Sequence, residues 1–391
     1  MPSAVAQIGQ KLVAAGHASF LVGPGLRDLL CGIAPSHLEL STDAPLRAIL
    51  DRFSSGVLIE NRSHAVMVPS PAGPVEVSPF RAGAQVEDDL AHRDFTVNAI
   101  AFDIASRKWL DPHGGRADLG SGLIRAVRSA RDCVDEDPIR ALRGVRLAAT
   151  RGWEIDSDFE SALSRARTAL AEIPREPVRR ELVAILLSRG AARGLEQLER
   201  SGIASTLAPG TTADSSALVD RLDCDLELRL AGWLRGTRIR TVLQRLRFSR
   251  PTIDRVDLLL RFHYSDREIN AMTPAAIARF ARRVGTRNLA ALIALREAEA
   301  KTTGDEPEAA RSALHRLQGS LTSLRESERT ASARSQLRFS GDDVIAYLGC
   351  EPGPRVGRAI AYLSECIRRN PDLNSPDALR ELLRDWADET A

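Results

Sequence analysis

Lysine is nearly missing from this chain. Only Lys11, Lys108 and Lys301 occur among 391 residues, and arginine supplies the rest of the basic side chains. Arginine suits bidentate contact with phosphates and base edges. A net charge of +2 nevertheless does not mark a nucleic-acid binder, and a GC-rich genome gives the same bias. Long apolar runs are missing too: none approaches the roughly 20 residues needed to span a bilayer. The stretch from 1 to 16 lacks a basic region followed by an apolar block, so no signal peptide is expected. The five cysteines (Cys31, Cys133, Cys224, Cys350, Cys366) form no CxxC pair. Dispersed and odd in number, they read as free thiols of a reducing cytoplasm, with no zinc site. With 43% hydrophobic and 27% charged residues, what is present is an ordinary globular composition, long enough for two or more domains.

The first part of the chain mixes short strand and helix patterns. Val5, Ile8, Leu12 and Val13 have helical spacing, and Ser19 to Val22 is an apolar run ending in glycine. In His37 to Ser41, Leu38 and Leu40 alternate against His37, Glu39 and Ser41, which predicts a strand. His64 to Phe80 reads as a hairpin about the turn Pro71-Ala72-Gly73-Pro74. These elements predict a small α+β head, a mixed sheet with helices, over 1–130. From Asp135 onward apolar residues recur at three and four positions, which predicts an elongated all-α remainder. It divides into a neck at 131–200, a body at 201–300, a polar helical or mobile connector at 301–335, and a tail at 336–391. No repeat of fixed period is visible.

Four segments carry chemistry. In Leu21-Val22-Gly23-Pro24-Gly25-Leu26-Arg27-Asp28 a strand ends in a glycine turn that opens a helix, where backbone amides can face an anion. His37 and Glu39, two apart on a strand, point to one face beside that turn. Arg93-Asp94-Phe95-Thr96-Val97-Asn98 follows the charged loop 87–92. In Glu136-Asp137-Pro138-Ile139-Arg140, Asp137 precedes a first-turn proline. Arg140, Arg143 and Arg146, three apart, share a helix face. Alone, each has a plainer explanation: a common turn, surface decoration, an N-cap, a solvated arginine row.

Together and in this order, the four segments resemble the bacterial tRNA nucleotidyltransferases of the CCA-adding and poly(A) polymerase family. Leu110-Asp111-Pro112-His113-Gly114-Gly115, Leu123-Ile124-Arg125-Ala126-Val127, Leu243-Gln244-Arg245-Leu246-Arg247-Phe248-Ser249 and Gly353-Pro354-Arg355-Val356-Gly357 extend the likeness to nearly the whole chain. The resemblance implies template-independent addition of CMP and AMP, from CTP and ATP, to a tRNA 3′ end. It implies nucleotide contacts at Gly23, Pro24, Arg27, Arg93, Asp94, Asn98, Asp137, Arg140, Arg143 and Arg146. Arg93 and Asp94 match ribose contacts, and Asp137 and Arg140 match a base-reading pair. Such a pair has a physical logic. Cytosine and adenine each place an amine donor beside a ring-nitrogen acceptor, so a carboxylate and a guanidinium read both. A mismatched base loses about 1–3 kcal/mol per bidentate contact, taking the groove figures as a guide. Arginines at Arg238, Arg240, Arg245 and Arg247 are expected to face the tRNA acceptor arm, with salt-sensitive binding. No His-Asp doublet of a phosphohydrolase domain occurs, and the third glycine of a dinucleotide-binding turn is lacking.

The departures cluster. The family's two metal-binding aspartates correspond to His37 and Glu39, and its second turn glycine to Pro24, which has no N–H to give a phosphate. Magnesium, the family ion, prefers hard oxygen ligands in a tight octahedron. Two readings compete: Glu39 with Glu76 or Asp94 holding a different ion such as manganese, or a lapsed enzyme without metal that keeps nucleotide or tRNA binding. Residues 1–391 leave oligomeric state and product length open.

Overall fold

A computed structural model describes residues 2–59, 65–71, 73–212, 214–263, 266–303 and 308–389. His64 and Ala72 of the expected hairpin and 304–307 of the expected connector lie outside the described residues. The chain forms two compact units, Met1–Leu260 and Arg261–Ala391.

The first unit opens on a mixed sheet. Its strands are β1 (Ser19–Val22), β2 (Leu38–Thr42), β3 (Val57–Ile59), β4 (Ala65–Val68), β5 (Val75–Pro79), β6 (Ala101–Asp103) and β7 (Trp109–Leu110). They lie in the order β3-β4-β5-β2-β1-β6-β7. Only β2 and β5 run parallel; the other neighbours are antiparallel. Five helices accompany the sheet: α1 (Ser3–Val13), α2 (Gly23–Leu30), α3 (Leu46–Arg52), α4 (Val86–Ala91) and α5 (Gly115–Ser121). Alternation along the strands sorts their side chains. Leu21, Leu40, Val66 and Val77 join Val5, Ile8 and Leu12 of α1 and Ile49 of α3 in one buried cluster. On the opposite face Phe20, Val22 and Ala101 pack with Val86 and Leu90 of α4. That second face carries the site, because Glu39 lies opposite Val22 on one side and Glu76 on the other.

Helices dominate the rest of this unit. First come α6 (Ala130–Glu136) and α7 (Ile139–Arg151), broken apart at Asp137-Pro138. Short strands β8 (Leu123–Ile124) and β9 (Glu154–Ile155) pair parallel around them. Then follow α8 (Ser157–Ala162), α9 (Ala166–Ala169), α10 (Arg175–Leu186), α11 (Ala191–Arg200), α12 (Ile203–Leu207), α13 (Ser215–Asp220), α14 (Leu226–Trp233), α15 (Ile239–Arg245) and α16 (Arg250–Arg261). Head and neck join through aromatic packing. Phe95 and Phe159, both fully buried, meet edge-to-face with centroids 5.2 Å apart. Gly144 of α7 makes room for them, since a Cβ there would lie 2.3 Å from Phe159.

The second unit contains α17 (Asp266–Ala271), α18 (Pro274–Val284), α19 (Thr286–Thr303), α20 (Glu308–Gln336), α21 (Gly341–Leu348), α22 (Pro354–Arg369) and α23 (Pro376–Glu389). The polar stretch expected to be a solvated or mobile connector contains α20, which buries Ala310, Ala313, Leu314, Leu317 and Leu321. Small alanines at helical spacing build this seam, so a search for large apolar residues passes over it. Among the described residues no helix is long and apolar enough to cross a membrane.

Candidate nucleotide site

The site begins where β1 runs into α2. Gly23 turns the chain with φ +76°, which favours glycine, and Pro24 sits in the first helical turn. Gly25 brings the helix against β2: a Cβ there would lie 2.4 Å from the His37 carbonyl oxygen. This close approach places the turn beside the two positions where the family carries aspartates.

At those positions the side chains are tied to nitrogen partners. His37 Nε2 lies 3.3 Å from Glu39 Oε1, and Arg93 Nη1 donates to Glu39 Oε2 at 3.3 Å. The hydrogen bond to Glu39 raises the His37 pKa above its ordinary value, against the effect of burial. Burial pushes the Glu39 carboxyl up, but the His37 hydrogen bond and the charges of Arg93 and Arg81 outweigh it and hold it low. Glu76, its neighbour on β5, is pushed up by burial and then by the Glu39 charge. Arg93 is anchored from behind. Its Nε and Nη2 donate to Asp89 Oδ2 at 3.3 and 3.0 Å, and Asp89 Oδ1 accepts the Arg81 backbone N–H at 3.0 Å.

Asp94 turns the other way. Its Oδ1 accepts from the Phe95 N–H at 2.9 Å and from Asn98 Nδ2 at 2.8 Å, and Oδ2 lies 3.8 Å from Arg143 Nη1. Burial would raise this carboxyl; the Arg143 charge and the two hydrogen bonds keep it low. The chain of contacts runs on. Asn98 Oδ1 accepts from Arg27 Nη1 at 2.9 Å, Arg27 Nη2 reaches Asp28 Oδ1 at 2.7 Å, and Arg151 of α7 donates to the same Asp28 oxygen at 2.7 Å. Arg27 is therefore a buried internal link, where the sequence suggested a nucleotide contact.

Asp137 occupies the α6–α7 break, and its carbonyl accepts the Arg140 N–H at 2.9 Å. The Arg140 guanidinium is aimed by three acceptors: Glu136 Oε2 at 2.9 Å, the His92 carbonyl at 3.2 Å and the Cys133 carbonyl at 3.5 Å. Arg146 donates to Glu181 of α10 at 2.5 Å, and Glu181 also lies 4.0 Å from Arg143. Asp89, within the charged loop 87–92, and Glu181 were not among the expected site residues. Asp89 stands four residues before Arg93 on α4, a helical ion-pair spacing that was there to be found; Glu181 carries no local signal. Of the arginines expected to face RNA, Arg240 pairs with Asp254 and Asp257, and Arg245 donates to the Thr206 and Leu207 carbonyls.

The geometry bears on the two readings of the metal positions. Among the described residues no three His, Cys, Asp or Glu side chains gather as ligands for an ion. Both Glu39 oxygens are taken by His37 and Arg93, and Asp94 is directed at Asn98 and Arg143. Hard-cation sites need carboxylate oxygens converging on one point. The residues present do not fit magnesium or manganese.

Two family models match in order along the chain. One, described as the poly(A) polymerase head domain, covers residues 78–125. The other, a probable RNA- and SrmB-binding site of polymerase A, covers 152–215. An A-adding tRNA nucleotidyltransferase of Deinococcus radiodurans is 29% identical over 95% of this chain and 96% of its own length. The chain is similar to tRNA nucleotidyltransferases along nearly its whole length. A CC-adding tRNA nucleotidyltransferase of Shouchella clausii is 32% identical over 54% of each chain, so that match spans about half of the relative. The crystal structure of the Bacillus stearothermophilus CCA-adding enzyme with CTP shares the fold, with a TM-score of 0.65 at 24% identity over 99% of this chain and 98% of that one. The mixed head sheet followed by helices matches the fold of that enzyme.

Proposed function

We propose that this chain works at tRNA 3′ ends as a tRNA nucleotidyltransferase-family protein that takes CTP and ATP. One observation carries the reading. The contacts from Arg151 through Asp28, Arg27, Asn98 and Asp94 to Arg143 draw the glycine turn, the 93–98 segment and α7 into one connected site. Asp94 and Arg143, which the resemblance matches to nucleotide contacts, both belong to it, and this supports the reading. In this reading Asp137 accepts from the exocyclic amine of cytosine or adenine and Arg140 donates to the ring nitrogen. The same pair rejects uracil and guanine, which present the opposite pattern. The activity named for the relatives, addition of nucleotides to tRNA, is the reaction that kinship favours.

A second reading is favoured by the pairing of Glu39: recognition of nucleotide and tRNA without transfer. A carboxylate held by His37 and Arg93 is not available to organise an attacking 3′-oxygen. The deciding experiment supplies labelled CTP and ATP with tRNA lacking its 3′ CCA, in magnesium and in manganese. Incorporation in either ion establishes transfer, and the product length distinguishes CC, A, CCA and poly(A) addition. Binding of tRNA and nucleotide with no incorporation establishes the second reading. Failure to bind either ligand refutes both.

A further inference from the structure

Glu39 is not simply a poorer aspartate. Its carboxylate reaches across to the turn, where a Cβ on Gly23 would lie 2.4 Å from Glu39 Oε2 and 2.8 Å from Arg93 Nη1. The methylene that glutamate adds over aspartate lets β2 reach that far. There the two oxygens meet His37 Nε2 and Arg93 Nη1, each at 3.3 Å. Behind them Arg93 holds Asp89, and Asp89 holds Arg81.

A divalent-ion site is built on the opposite plan. Its carboxylates converge, repel each other, and repel a triphosphate until a cation arrives. At this turn the guanidiniums of Arg81 and Arg93 and the imidazole of His37 stand among Glu39, Glu76 and Asp89. Replacing a family aspartate by His37 removes an anion from beside the phosphates and puts a proton donor in its place. The obstacle that an ion would have to neutralise is therefore absent.

We propose that this head binds the triphosphate of CTP or ATP without a divalent ion, with Arg93 and His37 as built-in counter-groups beside the α2 turn. The inference rests on the nucleotide reading above and adds to it the way the phosphates are held. Incoming phosphate oxygens compete with Glu39 for Arg93 and His37, and Asp89 keeps Arg93 in place while they do so.

The test is equilibrium binding of CTP and of ATP to the full chain by titration calorimetry, in EDTA and in excess magnesium. Dissociation constants that agree within about twofold are expected, since no protein ligand waits for the ion. Binding that weakens in EDTA by roughly tenfold or more overturns the proposal. Absence of binding in both conditions refutes the nucleotide reading itself, and this inference with it. The variant His37→Asp restores an anion at the turn. Its nucleotide binding is expected to become magnesium-dependent by about tenfold. Manganese added to the wild type without nucleotide is expected to keep its free-ion electron paramagnetic resonance signal, whereas loss of that signal at stoichiometric protein contradicts the proposal.

Discussion

Removing the Asp89 carboxylate tests the anchoring of the site most directly. Asp89 is 0% exposed and Arg93 3% exposed, and their side chains meet at 3.0 and 3.3 Å. Asp89 also accepts the Arg81 N–H. In Asp89→Ala, Arg93 keeps only Glu39, at 3.3 Å, and the Arg81 N–H loses its acceptor. Stripping one partner from a buried ion pair costs about 3–5 kcal/mol, because the remaining charge stays in a poorly solvated place. For a unit of this size each kcal/mol moves Tm by about 2–4 °C, so a fall of about 6–20 °C is expected. The pH dependence gives a second handle. Burial would raise the Asp89 carboxyl, but Arg93 and Arg81 hold it below the ordinary carboxylate range. Its stabilisation is then complete above that range and disappears as pH falls through the folded-state value. The deficit of Asp89→Asn against wild type should accordingly be large at pH 7 and shrink toward pH 3, read by urea unfolding. A loss under 1 kcal/mol at pH 7, or a deficit that does not change with pH, refutes the view that this pair fixes Arg93.

Gly144→Ala gains about 1 kcal/mol of helix propensity but drives a methyl to 2.3 Å from Phe159, so a net loss of about 1–2 kcal/mol is expected in urea unfolding. A variant as stable as wild type contradicts the tight head–neck packing. Glu199 of α11 has a buried oxygen without a hydrogen-bond partner and a carboxyl pushed up to about 7 by burial. The folded state then binds more protons than the unfolded state between the two values, so stability falls as pH rises. Glu199→Gln should stabilise by about 1–2 kcal/mol at pH 8, after discounting for its partial exposure, and change little at pH 5. Burial raises the Cys133 thiol to about 11, so iodoacetamide should label exposed Cys31 and Cys224 first; early labelling of Cys133 contradicts its burial. Combining His37→Asp, Glu39→Asp and Pro24→Gly should raise magnesium-dependent incorporation of CMP or AMP into tRNA. No gain in a folded triple variant means that the rest of the scaffold cannot support transfer.

What the sequence disclosed depended on how local each cause is. The strand at 38–42 was legible because Leu38 and Leu40 alternate with Glu39 and Ser41, a pattern contained in a few residues. The turn at Gly23 and the break at Asp137-Pro138 were legible for the same reason: glycine and proline act on their own backbone. Glu76 was expected near Glu39 as one of two alternative co-ligands, but the register that sets them side by side comes only from the parallel pairing of β2 with β5, strands distant in sequence. Arg27, which the resemblance assigns to the nucleotide, has internal partners that its position after the glycine turn does not disclose. Those partners are Asp28 and Asn98, and burial favours satisfying the guanidinium internally. Glu181 escaped because its partners Arg143 and Arg146 lie on another helix.

The β2 positions that depart from the family pattern and the Asp94 side of the site are compatible because two contact networks meet at adjacent residues and then part. Arg93 points to Glu39 and Asp89, so it belongs with β2 and α4. Asp94 points to Asn98 and Arg143, so it belongs with α2 and α7 by way of Arg27, Asp28 and Arg151. Each network satisfies its own buried charges, as burial requires. Among the described residues no hydrogen bond joins Arg93 to the Asp94 side; the two networks meet only through longer-range charge, Arg81 acting on both Asp89 and Asp94 and Asp28 acting on His37. Substituting His37 and Glu39 therefore disturbs the charge balance on the β2 side while Asp94 keeps its two hydrogen-bond donors. Glu39 and Asn98 share no hydrogen-bond partner in these contacts, so a double-mutant cycle between them should show coupling under about 0.5 kcal/mol. Glu39 with Arg93 should couple by about 0.5–3 kcal/mol. Strong coupling between Glu39 and Asn98 would mean that the two halves of the site are one network, and that the β2 substitutions also distort nucleotide recognition.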